Sequence, residues 1–140
     1  MKITAAITMV LLATGLFACN TGKTDKLLKH KKWRVYDVTV PPNDPYNNTQ
    51  LSQAVELKNG YYTDAYYQFL DNNLFVATIA GQPDSGRYSL LSNGKIISVT
   101  SSNGSRSQEH LVNIVKLDEH HFDMKVESGD YHFILHTRKE

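Results

Sequence analysis

The chain has 140 residues, 15 Lys plus Arg against 14 Asp plus Glu, and one cysteine. That is room for one domain of common size, and so even a charge balance leaves no electrostatic footprint for nucleic acid. A single cysteine excludes an internal disulfide and a cysteine-rich metal site, so the fold must rest on packing.

The first segment has the order of parts of a secretory signal: Met1-Lys2, then Ile3 to Phe17 without a charge, then a small residue before a cysteine. The apolar run is broken by Thr4, Thr8, Thr14 and Gly15 and is short for a membrane span. Leu16-Phe17-Ala18-Cys19 resembles the lipobox of bacterial lipoproteins. The resemblance implies cleavage before Cys19 and lipid attachment to its sulfur, with two or three acyl chains of the palmitate kind. At ~0.8 kcal/mol per buried methylene, such an anchor holds a protein stably on a membrane. Asn20, where an aspartate would otherwise stand, resembles lipoproteins sent to the outer membrane; whether the periplasmic or the surface face is meant stays open. Residues 1–18 are thus read as signal peptide and 19–32 as a lipidated tether, basic through Lys23, Lys26, Lys29, Lys31 and Lys32, which suits anionic headgroups. Leu27-Leu28 can form one helical turn before Trp33.

From residue 33 to 140 short β-rich runs alternate with turn residues. Eight strands are expected: Trp33 to Val40, Tyr66 to Leu70, Leu74 to Ile79, Gly86 to Leu91, Lys95 to Thr100, Gln108 to Leu117, Phe122 to Ser128, and Tyr131 to Arg138. Asn93-Gly94 suits a type I′ hairpin turn and Gly129-Asp130 a type II′ turn. With Gly129-Asp130 as the loop, Val126 faces Phe133, Met124 faces Leu135 and Phe122 faces Thr137, while Glu127 meets His132 and Asp123 meets His136 on the other side. Apolar pairs share one face and opposite charges the other, as a sheet with one buried side requires. Asn93-Gly94 likewise aligns Leu90 with Ile97 and Tyr88 with Val99. A tight loop at Asp118 to His121 aligns Leu117 with Phe122, Val115 with Met124 and Asn113 with Val126. In the first strand Trp33 and Val35 compete with Tyr36, Val38 and Val40 for the inner face, a conflict that a bulge resolves. Eight short-linked strands bury their face by closing into an all-β, antiparallel up-and-down barrel, which also removes the sheet edges.

This layout resembles the small lipocalin-like (calycin) lipoproteins of bacteria, on Trp33 after a short helical turn, Tyr67-Gln68-Phe69 before Asp71-Asn72-Asn73, Gly86-Arg87-Tyr88-Ser89-Leu90, and Arg138 in the last strand. The resemblance implies that Trp33 and Arg138 meet across the closed end of the barrel, a cation–π contact of roughly 0.5 to 2 kcal/mol.

The open rim then collects residues 41–65, 80–85, 101–106 and 129–130. Pro41-Pro42-Asn43-Asp44-Pro45 forces an extended exit from the first strand, and the long segment after it is read as a lid. Tyr66, Tyr88, Glu109, Asn113 and Tyr131 are the expected ligand-binding residues, polar handles on an apolar pocket for a small apolar or amphipathic molecule. Two other readings remain: a protein-binding envelope module using its rim loops or an outer patch of Leu91, Ile96, Val112, Ile114 and Ile134, and a structural lipoprotein with a filled barrel. No catalytic constellation is legible, so no enzyme and no cofactor is expected. His132 and His136 stand about 13 Å apart along one strand, too far to share a metal ion. A monomer is expected.

Overall fold

The computed structural model describes residues 19–44, 47–101 and 108–140. Residues 1–18, read above as a signal peptide, Pro45, Tyr46 and the 102–107 part of the rim lie outside the described residues. Eight antiparallel strands close into one barrel in sequence order: β1 (Lys32–Thr39), β2 (Tyr66–Phe69), β3 (Leu74–Ile79), β4 (Gln82–Leu91), β5 (Ile96–Ser101), β6 (Glu109–Leu117), β7 (His121–Ser128) and β8 (Tyr131–Lys139). Two helices accompany them, α1 (Cys19–Leu28) before β1 and α2 (Asn48–Asn59) in the long first connection.

The hairpins set the register. Gly129 takes a φ of 61°, the left-handed first position a type II′ turn needs. Val126 then pairs with Phe133, Met124 with Leu135, and Phe122 with Thr137, as expected. Around Asn93-Gly94 the pairs Leu90–Ile97 and Tyr88–Val99 also hold, although the turn is wider, with Ser92, Asn93 and Gly94 all at positive φ. In β1 a register shift falls between Val35 and Asp37. It buries Trp33, Val35 and Val38 together and leaves Tyr36 41% exposed, so the first strand keeps both of its apolar sets by extruding one residue.

A second shift corrects the sequence reading. Leu117 pairs with Phe122, but Ile114, not Val115, pairs with Met124, and Asn113 pairs with Lys125. The extra residue at Val115 reverses the parity of the rest of β6. Val112 and Ile114, expected outside, pack on the core, whereas Leu111, Asn113 and Val115 face out.

The core is graded along the barrel axis. At the closed end Trp33, Phe69, Phe122 and Tyr88 form a chain of edge-on rings, with centroids 5.7 Å apart for Trp33–Phe122, 5.9 Å for Phe69–Phe122 and 5.1 Å for Phe69–Tyr88. Toward the mouth the inner positions are smaller: Ala77, Gly86, Val99, Val112 and Val126. Gly86 is required where it stands, because a Cβ there would overlap the Thr100 carbonyl oxygen.

The segment read as a tether is ordered from its first residue as α1, which lies across the closed end. Leu28 is fully buried, its carbonyl accepts from Trp33 Nε1 at 3.0 Å, and Thr24 and Asn20 abut Gly94 in the β4–β5 turn. The expected Trp33–Arg138 contact does not form. Thr137 turns inward, its hydroxyl donating to the Phe122 carbonyl at 2.6 Å, so its neighbour Arg138 must face out. Arg138 lies over the Tyr36 ring at 5.5 Å, and the cation near Trp33 is Lys31 Nζ, 5.5 Å from the ring centroid.

Candidate functional site

The small inner residues near the mouth leave a cavity of about 560 Å³, within the range of small-molecule sites. Its apolar wall is Tyr67 and Phe75, nearly stacked at 6.0 Å, with Ala77, Ile79, Val99, Val112 and Val126. Polar groups from β4 to β7 also line it: Asp84, Ser101, Glu109, His110 and Glu127. Ser101 Oγ donates to the Asp84 carboxylate at 3.2 Å, Ser98 Oγ to Glu109 Oε1 at 2.6 Å, and Glu127 meets His132 at 3.1 Å. An apolar chamber with a polar margin has the composition that a small-molecule site requires.

Of the expected ligand residues, only Glu109 borders this cavity; it stands on the outer parity of β6, opposite Thr100. Tyr66 lies on the outer face, where Lys32 Nζ sits 4.1 Å from its ring centroid. Asn113 is exposed on the outer face, because of the β6 bulge. Tyr88 does point inward, yet its hydroxyl runs to the closed end and donates to Asp25 Oδ1 on α1 at 2.8 Å. Burial first, then that carboxylate, pushes its ionisation above the ordinary tyrosine range. Tyr131 packs edge-on to Phe133 at 6.4 Å, away from the cavity wall described above. The residues that sequence reasoning missed are Tyr67, Phe75, His110 and Val112. Tyr67 shares the parity of buried Phe69, a signal that would have preferred it to Tyr66.

Helix α2 caps the β1–β8 side of the mouth. Asn47 Oδ1 accepts from the Gln50 backbone at its start, an ordinary N-cap. Gln50 and Ala54 are buried beneath it, Gln50 Nε2 donates to the His132 carbonyl at 3.3 Å, and Lys58 reaches Asp37 at 3.2 Å. Gln50 Oε1 is buried with no partner. Leu51 and Val55, on the outward face of α2, are 43% and 57% exposed.

On the outer wall, Asp123 Oδ2 meets His136 Nδ1 at 3.0 Å, and His136 Nε2 meets Thr39 Oγ1 at 2.7 Å. A carboxylate oxygen accepts, so His136 Nδ1–H donates to Asp123, and Nε2 faces the Thr39 hydroxyl. The chain links β7, β8 and β1 where the barrel closes. Among the described residues no group of three His, Cys, Asp or Glu side chains is placed to hold a metal ion, and no helix is long and apolar enough to cross a membrane.

No protein-family model matches this chain, and no curated protein matches it. A crystal structure of an uncharacterized protein from Bacteroides eggerthii, at 2.60 Å resolution, matches with a TM-score of 0.52. The two are 14% identical, and the likeness covers 79% of this chain and 98% of that one. At that identity the likeness carries the fold alone; the closed eight-stranded antiparallel barrel of this chain is consistent with a lipocalin-like fold.

Proposed function

We propose that this protein is a lipid-anchored lipoprotein of the bacterial cell envelope whose barrel binds a small apolar or amphipathic molecule at its mouth. The observation that carries the ligand reading is the cavity of about 560 Å³ walled by Tyr67, Phe75, Val99, Val112 and Val126. Interiors are normally packed to crystal-like density, so a chamber of that size in the half of the barrel away from α1 is the feature a filled structural barrel would lack. The anchor rests on the Leu16-Phe17-Ala18-Cys19 sequence. Its tail would be held by contact area on the apolar wall, and its polar group would meet the margin of Asp84, Glu109, His110 and Glu127.

Native mass spectrometry of the protein after exposure to a cell-envelope extract and gentle repurification tests this. The expected result is a discrete added mass that disappears when Ala77→Trp fills the chamber. A bare mass at every extract concentration would contradict the reading and favour a protein-binding role for the outer face, on which Leu111 and Val115 are 61% and 51% exposed.

A further inference from the structure

We propose that the closed end of the barrel is a docking face for an anionic bilayer surface, so that the protein stands on the membrane with its mouth directed away from it. The inference rests on the lipid-anchor reading and adds an orientation to it. Three observations point the same way.

The first is the absence of slack. α1 begins at Cys19 and is fixed to the barrel within its own length, by Asn20 and Thr24 against Gly94, by Asp25 to Tyr88 and by buried Leu28. A lipid on Cys19 would therefore be joined to the closed end without a linker, and the headgroup layer would lie against that end.

The second is charge. The segments that form the closed end (19–32, 70–74, 92–95, 116–121 and 138–140) hold nine Lys or Arg against five Asp or Glu. Among the described residues, those that form the mouth (40–44, 47–59, 79–85, 101, 108–109 and 127–131) hold one, Lys58, against six; Arg106 lies outside the described residues. A chain that is neutral in sum is thus polarised along the barrel axis. Lys23, Lys26 and Lys95 are exposed on the basic end, and each basic side chain near an anionic leaflet adds to attraction over about one Debye length.

The third is apolar surface next to the anchor. Leu91 and Val115 are 41% and 51% exposed, beside the β4–β5 turn and on β6, both of which α1 touches. Exposed aliphatics flanked by Lys95 and Lys116 fit the boundary between headgroups and acyl chains. The opposite end presents carboxylates, which an anionic leaflet repels.

The test uses the full chain, processed and lipidated in its host, and reconstituted in vesicles of 70% phosphatidylethanolamine and 30% phosphatidylglycerol. Because Cys19 is blocked by its lipid, one introduced cysteine takes a fluorophore: His120→Cys at the closed end, or Gln82→Cys at the mouth. Quenching by headgroup spin-labelled lipid is expected to be at least threefold stronger at position 120 than at 82. A triple variant, Lys23→Glu, Lys26→Glu and Lys95→Glu, with an unchanged circular dichroism spectrum, is expected to lose most of that difference. Equal quenching at the two sites, the reverse order, or a triple variant that keeps the full difference would overturn the inference. An intact mass without lipid on Cys19 would overturn the anchor reading as well, whereas lipid present with equal quenching would remove the orientation alone.

Discussion

The Tyr88 hydroxyl donates to Asp25 Oδ1 at 2.8 Å, joining the middle of β4 to the helix that plugs the barrel. Lys29 closes on the same carboxylate at 2.8 Å, so Asp25 is held from both sides. Replacing Tyr88 with Phe keeps the ring packing on Phe69 and removes only the bond. A hydrogen bond to a charged group is worth about 1.5 to 3 kcal/mol, and urea denaturation of Tyr88→Phe is expected to lose an amount at the lower end of that range, because Lys29 still pairs the carboxylate. An unchanged midpoint would mean that α1 is not fastened there.

Gly94 is the second fastening point. It combines a φ of 81° with contact to Thr24, whose Oγ1 would lie 2.6 Å from an added Cβ. Gly94→Ala therefore meets backbone strain and displaces α1 at once. The expected loss is about 1 to 3 kcal/mol, with hydrogen exchange rising in residues 19–28 before the strands. Equal protection of α1 in the variant would contradict the docking geometry.

Alkaline pH should unfold the barrel through its buried tyrosines. Burial pushes Tyr62 up to about 12, and burial likewise raises Tyr67 and Tyr88. In each the folded state holds its proton longer than the unfolded chain does. The stabilisation is complete below the unfolded value near 10 and is lost as pH rises from there through about 12 and beyond. Tyrosine absorbance and near-ultraviolet circular dichroism should change together in that window. All eight tyrosines ionising near pH 10 in a still-folded barrel would refute the burial described.

His136 supplies the partner of Asp123 Oδ2. Asp123 is buried and its Oδ1 has no partner, so His136→Leu leaves a charge without its only ring contact. Removing a hydrogen bond to a charged group costs about 1.5 to 3 kcal/mol, and thermal or urea unfolding should register most of it. Adding Asp123→Leu is expected to recover more than half. A double variant as unstable as the single one would assign the loss to packing instead.

Much of the fold was legible because turn chemistry fixes register. Gly129-Asp130 and Asn93-Gly94 each left one alignment that put apolar residues on one face, and both alignments hold. The candidate site was less legible because one extra residue in β6 reverses everything upstream of it. Its trace is present in hindsight: Asn113 prefers water while Leu117 must meet Phe122, and satisfying both requires a bulge between Ile114 and Lys116. A run in which positions 111, 112, 114 and 115 are all aliphatic gives no parity of its own. α1 was missed beyond one turn because its sequence, CNTGKTDKLL, has little apolar periodicity; its helix is made by docking onto Gly94 and Trp33.

The most direct test of a hollow, ligand-accepting barrel is titration with a fluorescent long-chain alkyl probe, in parallel on the wild type, Ala77→Trp and Asn113→Leu. Saturable one-to-one binding that is lost in Ala77→Trp and kept in Asn113→Leu is the expected result, since Ala77 walls the cavity and Asn113 faces solvent. No saturable binding to the wild type, or equal binding to a folded Ala77→Trp variant, would contradict it.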